Sequence, residues 1–237
     1  MTDDVDRLAH ERLAADEARI TGTGRRRGLT LGQAWGAFWR HPSPWMIACF
    51  LVVSVVGRVA VGAGSWWELL IPVALLALFP AIEWVIHVGV LHWRPRRVAG
   101  LEVDSLLARK HREHHADPRD LPLVFIPWPA LTWLLPAYVV VALLAVPSAS
   151  AAWTLLESVY AVMFGYEWTH YLIHSDHRPR TRAYRAVWRN HRLHHYKNEH
   201  YWFTVTTAGT ADRRFGTCPE AETVATSPTA TNLHGAG

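Results

Sequence analysis

The sequence has little cysteine, and its two cysteines are far apart. Cys49 lies within an apolar run and Cys218 lies near the end, so we expect neither a disulfide framework nor a CxxC site. The zinc-protease motif HExxH is absent, and the segment from His111 to His114, which reads HREH, has the wrong spacing. The first twenty residues are polar and acidic, which is not the pattern of a secretory signal peptide. These absences argue against a disulfide scaffold, a thiolate site and an HExxH protease.

Charged residues are few beside apolar ones. Hydrophobic residues make up 50% of the 237 residues, and thirteen residues are tryptophan. Four apolar runs, at 45–62, 69–91, 130–146 and 152–169, each approach the ~20 residues of a membrane-spanning helix. The net charge of +4 comes from basic residues that flank these runs. We therefore interpret them as topology signals and headgroup contacts, and we expect no nucleic-acid partner.

The distribution of basic residues predicts the topology. Neither short connection between consecutive runs contains Lys or Arg, whereas residues 1–43 and 93–128 contain seven each and residues 170–237 contain nine. The positive-inside rule thus predicts a multi-pass protein of two helical hairpins, with both termini in the cytoplasm. Arg58, inside the first run, is the exception, and we expect it to snorkel near the outer end of its helix.

Three regions follow along the chain. Residues 1–43 are predicted to be a cytoplasmic arm and an interfacial segment, and residues 44–217 a membrane domain that carries the functional site. Residues 218–237 are rich in Thr, Ala, Ser and Pro, and we predict that they are disordered.

Ten of the fifteen histidines fall into four clusters, in the order HxxxxH, HxxHH, HxxxH, HxxHH. They are His87, His92, His111, His114, His115, His170, His174, His191, His194 and His195. Imidazole is the commonest side-chain metal ligand. A zinc or iron centre takes only about four to six ligands, so ten imidazoles predict two metal ions. All four clusters lie at or beyond the predicted cytoplasmic ends of spans, although the topology was derived without them.

The spacing within the HxxHH copies predicts how they are shared between the ions. Positions i, i+3 and i+4 lie on one face of a helix, so all three histidines of each copy can point inward. The adjacent pairs, His114 with His115 and His194 with His195, diverge by about 100° around the helix. Each pair is therefore expected to serve two different, neighbouring ions.

The other two clusters differ in spacing. His170 and His174 are one helical turn apart and can bind one ion together. His87 and His92 are five residues apart, which is poor for one ion on a regular helix. Either they serve different ions or they flank a helical irregularity.

Ligand type leaves the metal open among zinc, copper and iron, because all-imidazole sites suit each of them. Glu83, Glu113 and Glu167 lie close enough in sequence to orient ring N–H groups. Glu167 is the best candidate, one turn before His170, and Tyr171 is a second candidate supporting residue. The remaining histidines are not predicted ligands: His10, His41 and His234 are isolated, and His177 and His200 break the spacing.

The histidine pattern resembles the fatty acid hydroxylase superfamily of integral membrane enzymes, and within it the fatty acid 2-hydroxylases most closely. The resemblance runs from about Glu83 to Thr217. It also rests on the segments EWVIH at 83–87, LVFIPWPA at 123–130, EWTHY at 167–171, HHYK at 194–197 and FGT at 215–217.

The resemblance implies an all-α protein, in which four transmembrane helices lie beneath a cytoplasmic helical cap with a dimetal site. The ten clustered histidines carry over as ligands of two iron ions, with zinc as the alternative metal. Such an enzyme uses O2 and two electrons to hydroxylate a fatty-acyl lipid. Residues 1–43 are too short for a fused haem domain, so a separate ferredoxin- or cytochrome-like protein would supply the electrons.

Other functions remain open at this point. A desaturase, or a sterol or carotenoid hydroxylase, would use the same centre. A histidine-rich metal transporter or sensor is a different class, although its ligands would not be expected to cluster at one face of the membrane.

Overall fold

The computed structural model describes residues 28–235 and, before them, only residues 7, 11, 12, 14 and 15. Most of the predicted N-terminal arm therefore lies outside the described residues. The described chain is helical except for one small antiparallel hairpin, formed by β1 (Arg96–Val98) and β2 (Leu101–Val103). The all-α prediction is confirmed apart from this hairpin.

Nine α-helices follow one another in the described chain. They are α1 (Leu31–Phe38), α2 (Pro42–Val61), α3 (Leu70–Ile86), α4 (Leu106–Ala116), α5 (Leu121–Val124), α6 (Trp128–Ala145), α7 (Ala149–His174), α8 (Arg182–Tyr196) and α9 (Thr210–Phe215). A 3-10 turn (Trp66–Leu69) precedes α3, and a π-helical turn (His87–Leu91) continues it. The side chains of Ser105, Ser148 and Thr181 accept hydrogen bonds from the first turns of α4, α7 and α8, which fixes where these helices begin.

Helix α7 is the centre of the bundle, since α2, α3 and α6 all pack against it. The core between α2, α6 and α7 includes Ile47, Leu131, Leu135, Leu156 and Tyr160. Close approach of α2 to α7 depends on Gly57, because a Cβ atom there would lie 2.7 Å from the Trp153 ring. The two short connections do join consecutive helices, but α2 and α3 are held together mainly through α7.

Three helical segments are long and apolar enough to cross a membrane: Pro42–Val61, Trp66–Leu91 and Leu121–Ala145. They correspond to the first three predicted runs. The fourth run forms α7, which has 26 residues but includes Glu157 and Glu167 and is less apolar than the others. Because α7 is surrounded by three helices, its side chains contact protein more than the outside of the bundle. Length and composition thus support three spans in the described chain.

Arg58 is paired within the protein, where we expected it to snorkel. Its guanidinium lies 3.3 Å from the carboxylate of Glu68 and donates a hydrogen bond to Thr154 Oγ1 at 2.9 Å. Glu68 is buried and also accepts a hydrogen bond from Ser150 Oγ at 2.6 Å. A buried charge is tolerated when it is paired and hydrogen-bonded, so this cluster can join α2, α7 and the turn before α3.

The C-terminal segment corrects a second prediction. Residues 218–237 were predicted to be disordered, but residues 218–235, the part that the structure describes, lie against the protein. The backbone N–H of Ser227 donates to the Lys197 carbonyl at 2.7 Å, and Ala230 and Leu233 are buried. The polar composition does not prevent this packing, because the segment's hydroxyl groups have a buried carboxylate, Glu199, as a partner.

Candidate metal centre

The ten clustered histidines form two groups of five, and each group can hold a metal ion. The first group is His87, His92, His111, His115 and His194, and the second is His114, His170, His174, His191 and His195. Within a group, one ring nitrogen of every member lies within 4.8 Å of those of the others. The groups are neighbours, since the rings of His115 and His195 are 4.1 Å apart between centroids.

Helices α4 and α8 each supply histidines to both groups. The adjacent residues His114 and His115 of α4 lie in different groups, and so do His194 and His195 of α8. This division agrees with the prediction from the turn of about 100° between neighbouring helical residues. His170 and His174, one turn apart on α7, lie together in the second group, as predicted.

A π-helical turn brings His87 and His92 into the same group. The backbone N–H of His92 donates to the His87 carbonyl at 3.0 Å, a bond that spans five residues. The wider turn lets side chains five residues apart face one point. Of the two predicted alternatives, the structure shows the helical irregularity, and it places both residues in the same group.

Hydrogen bonds fix the tautomers of three rings in the first group. The Nδ1 atoms of His87, His115 and His194 each contact a backbone carbonyl oxygen; these carbonyls belong to Phe203, Ala230 and Tyr201, respectively. A carbonyl oxygen only accepts, so in each neutral ring the proton is on Nδ1. Each Nε2 atom therefore presents a lone pair to the interior of the group, where a cation is needed.

Distances between ring nitrogens fit a bound ion. The Nε2 atoms of His87 and His111 are 3.1 Å apart, and those of His92 and His194 are 3.2 Å apart. Two ligand nitrogens at right angles, each about 2.1 Å from an ion, lie about 3 Å from each other. Without an ion, one nitrogen of each pair must carry a proton and donate to the other, whereas a bound ion accepts the lone pairs of both.

The second group has the same spacing around His191. Its Nε2 atom lies 3.0 Å, 2.9 Å and 3.0 Å from the Nε2 atoms of His170, His174 and His195. Both ring nitrogens of His114 are buried without a hydrogen-bond partner. Buried polar atoms are normally satisfied, so these nitrogens also fit a role as metal ligands.

Burial keeps the rings neutral. Desolvation lowers the pKa of His194 to about 3, and it holds the pKa values of His114 and His115 well below the usual value. The neutral imidazole is the form that binds a metal ion. At neutral pH, these side chains are therefore ready to act as ligands.

The structure gives the three candidate glutamates partners other than histidine rings. Glu83 accepts hydrogen bonds from the backbone N–H and the hydroxyl of Thr206, at 2.8 Å and 2.9 Å. Glu113 pairs with Lys110 at 2.5 Å. The glutamates were expected to orient the histidine rings, but backbone carbonyls do so instead. These carbonyls belong to segments after α8 that fold over the rings, and they reach the buried nitrogens without adding charge.

Glu167 and Tyr171, the two predicted supporting residues, lie beside the ligands on α7 and contact other side chains. Glu167 is fully buried and accepts hydrogen bonds from Ser43 Oγ and from the Ile126 N–H, the latter at 2.9 Å. The Tyr171 ring packs against Phe38, with 5.5 Å between centroids. Both residues therefore join the ligand-bearing end of α7 to neighbouring segments.

The other described histidines lie outside both groups. The His41 ring stacks on Phe125, His177 bonds the Leu29 carbonyl, and His200 lies beside Glu199. His234 contacts the backbone of a ligand, since its Nε2 atom lies 3.0 Å from the His92 carbonyl. His10 is outside the described residues.

Asp212 is a supporting residue that the sequence analysis missed. It is fully buried and accepts hydrogen bonds from the backbone N–H groups of Phe203 and Thr204, each at 2.8 Å, and from Thr217 Oγ1 at 2.8 Å. It thereby holds the loop whose Tyr201 and Phe203 carbonyls bind the first group. Its position before an Arg pair in a short helix gave no signal of this role.

An apolar cavity of about 150 Å³ lies between α3, α6 and α7, next to His87. Phe79, Leu134 and Met163 are among its lining residues. A second cavity of about 50 Å³ shares part of this lining, namely Leu91, Leu107, Ile126 and Tyr166. The second cavity also contacts His111, His114 and His170, and so reaches both groups.

These features define a candidate metal centre, in which two buried all-imidazole groups lie at the end of long apolar helices. The fatty acid hydroxylase family model matches residues 72–217, more than half of the chain, and this region contains all ten histidines. The chain belongs to the fatty acid hydroxylase family, which makes it an oxidoreductase of a membrane enzyme family. Neither the curated proteins nor the solved structures gave a match.

Proposed function

We propose that this protein is a membrane lipid hydroxylase that inserts one oxygen atom of O2 into a C–H bond of a fatty-acyl chain. The observation that carries the proposal is the apolar cavity next to His87, which adjoins a smaller cavity that reaches both five-histidine groups. The reaction balances as lipid C–H, O2, two electrons and two protons giving lipid C–OH and water. The electrons come from a separate electron-transfer protein.

The donor set supports iron as the metal. Each group offers five neutral imidazoles, which suit iron, copper or zinc by ligand type. Zinc has no redox chemistry, whereas two iron ions bound by these histidines would supply the activation of O2 that C–H oxidation needs. The first group would hold one ion and the second group the other.

The chain itself positions the lipid and excludes water. Helices α3 and α6 both pack against α7, and the cavity lies in the gap between them. Ile86 lines this cavity and is 43% exposed, and in this proposal the gap is the lateral route for a lipid from the bilayer. Apolar side chains at Leu91, Leu107 and Ile126 then guide the acyl chain of the lipid to the histidines and keep water away from the reacting carbon.

The proposed orientation follows from the basic segments. The histidines lie where α3 and α7 end, and the basic stretches 93–128 and 170–237 begin at these ends. The positive-inside rule makes this side cytoplasmic. In this proposal the 26-residue helix α7 also crosses the membrane, as a fourth helix enclosed by the other three, which brings both termini to the cytoplasmic side. A cytoplasmic electron donor would then reach the site from outside the membrane, while the lipid arrives from within it.

Untargeted lipid mass spectrometry tests the proposal. Cells that express the wild type, His194→Ala or His114→Ala are compared, with His200→Ala as the control because the His200 side chain is exposed and outside both groups. We expect one lipid class to gain a single oxygen atom with the wild type and the control only. Loss of two hydrogens would indicate a desaturase. Metal flux without an oxidised lipid would contradict the proposal and favour a transporter.

A further inference from the structure

Residues 225–234, here called the C-terminal strap, lie beyond the region that the family model matches. The strap crosses the end of α8 and ends against the first histidine group. The Ala230 carbonyl accepts the hydrogen bond from His115 Nδ1 at 2.9 Å. His115 is a fully buried member of the first group, so the strap completes the surroundings of a ligand.

A second contact fixes the backbone at His92. The Nδ1 atom of His234 accepts a hydrogen bond from Arg94 Nε at 3.0 Å, so the ring proton is on Nε2. That Nε2–H donates to the His92 carbonyl at 3.0 Å. His234 adopts a φ of 67°, a strained value for a residue with a side chain. Such strain persists where surrounding contacts hold the residue, and here two contacts do so.

The strap is anchored immediately after the last turn of α8, which carries His194. Ser227 Oγ donates to Glu199 Oε1 at 3.0 Å, and Thr229 Oγ1 donates to the same oxygen. Glu199 is only 2% exposed. The Asn198 side chain donates to the Ala225 carbonyl at 3.1 Å. The strap therefore links three elements that supply the first group: α4, the π-helical turn and α8.

The two histidine groups differ in this support. Each described hydrogen bond from the strap to a ligand residue goes to the first group, at His115 and at His92. The Ala230 carbonyl fixes the ring orientation and tautomer of His115, and loss of such a partner typically costs about 10- to 100-fold in metal affinity. The contact at His92 fixes the backbone of that residue. The effect should therefore fall on one of the two ions.

We propose that the C-terminal strap, latched by Glu199, is a positioning element that sets the metal affinity of the first histidine group and leaves the second unchanged. The proposal rests on the proposed function only in that both groups are taken to bind metal. It does not depend on which lipid is oxidised.

Metal binding to the purified full-length protein in detergent tests the strap. Glu199→Ala removes the acceptor of the Ser227 and Thr229 hydrogen bonds. Glu199→Gln is the matched control, because its amide oxygen can still accept both. Each substitution is placed in two backgrounds: His174→Ala, which leaves the first group intact, and His92→Ala, which leaves the second intact. Ferrous iron under anaerobic conditions is the probe, titrated against a competing chelator.

In the His174→Ala background, Glu199→Ala is expected to weaken iron binding about 10- to 100-fold, and Glu199→Gln to restore most of it. In the His92→Ala background, neither substitution should change the affinity. Equal weakening in both backgrounds, or no weakening in the first, would overturn the proposal. If Glu199→Ala does not fold, a chain that ends at Val224 removes the strap for the same comparison. A wild type that binds two ions but oxidises no lipid would refute the proposed function and leave the strap standing.

Discussion

The two histidine groups use the same side chain but differ in how their ligands are held. In the second group, His170 with His174 and His191 with His195 are i, i+4 pairs on regular helices. The first group needs a π-helical turn, and three of its rings are oriented by carbonyls of segments that follow α8. Backbone acceptors also lie beside two rings of the second group, Pro118 at His174 and Val124 at His170, but they belong to the segment between α4 and α6. The second group thus depends on helix geometry and on that segment, whereas the first depends on how the chain after α8 folds over it.

Adjacent residues of α8 provide the strongest test of this division. Replacing His194 or His195 with alanine should lower hydroxylation about 1,000-fold or more, because each removes a ligand from a centre that acts as a unit. The two variants should, however, differ in which of the two metal ions they retain. Metal analysis in backgrounds with one group disabled should show that His194→Ala weakens the first site and His195→Ala the second. Loss of the same ion in both variants would contradict the division.

The Asp212 loop tests how far the first group depends on later segments. Asp212→Ala leaves buried N–H groups without partners, and we expect about 2–3 kcal/mol of lost stability together with weaker metal binding in the first group. Asp212→Asn retains one acceptor oxygen and should lie between this variant and the wild type. Thermal unfolding and metal content measure the two effects. A loss of metal confined to the second group would contradict this role of Asp212.

A change in the cavity should lower activity without changing metal binding by either group. Met163→Trp narrows the cavity, and we expect about a tenfold lower kcat/KM for a long acyl chain, since one methylene more or less in an apolar pocket is worth roughly 1–3 kcal/mol. Both groups should keep their ions. Val140→Trp is the matched control, because Val140 is 55% exposed on the outer face of α6. The proposed lipid site would be wrong if both variants reduced turnover equally.

Protonation of either histidine group at low pH should lower the stability of the metal-free protein to a similar extent. Burial is the largest cause of the lowered pKa values of His115 and His194 in the first group, and of His114 and His195 in the second. The unfolded chain takes up protons on these residues below their usual pKa of 6.5, but the folded chain does not. The metal-free protein should therefore lose stability as the pH falls below about 6.5. Unfolding temperatures measured between about pH 7.5 and about pH 5.5 should decline by similar amounts in variants that lack His115 or His195.

Helix periodicity was enough to predict much of the metal centre. The split of each HxxHH copy between two groups followed from the turn per residue, and the five-residue spacing of His87 and His92 pointed to an irregularity. These are local properties of the chain. The apolar runs likewise predicted where α2, α3 and α6 lie.

Long-range partners could not be predicted in this way. The carbonyls of Tyr201, Phe203 and Ala230 orient ligands, but every residue has a carbonyl, so no sequence pattern marks them. The strap resembled a disordered tail because its hydroxyl groups are satisfied only when Glu199 is buried beneath them. For α7, composition was a poor guide, because a helix surrounded by protein does not need an apolar outer surface.

The most direct test of the central claim is turnover by the purified, iron-loaded protein under isotopically labelled O2, with an electron donor and extracted membrane lipids. The structure predicts a lipid product that carries one labelled oxygen atom with the wild type and none with His194→Ala. Unlabelled product, or labelled product in equal amounts from both proteins, would contradict a hydroxylase that works through these histidine groups.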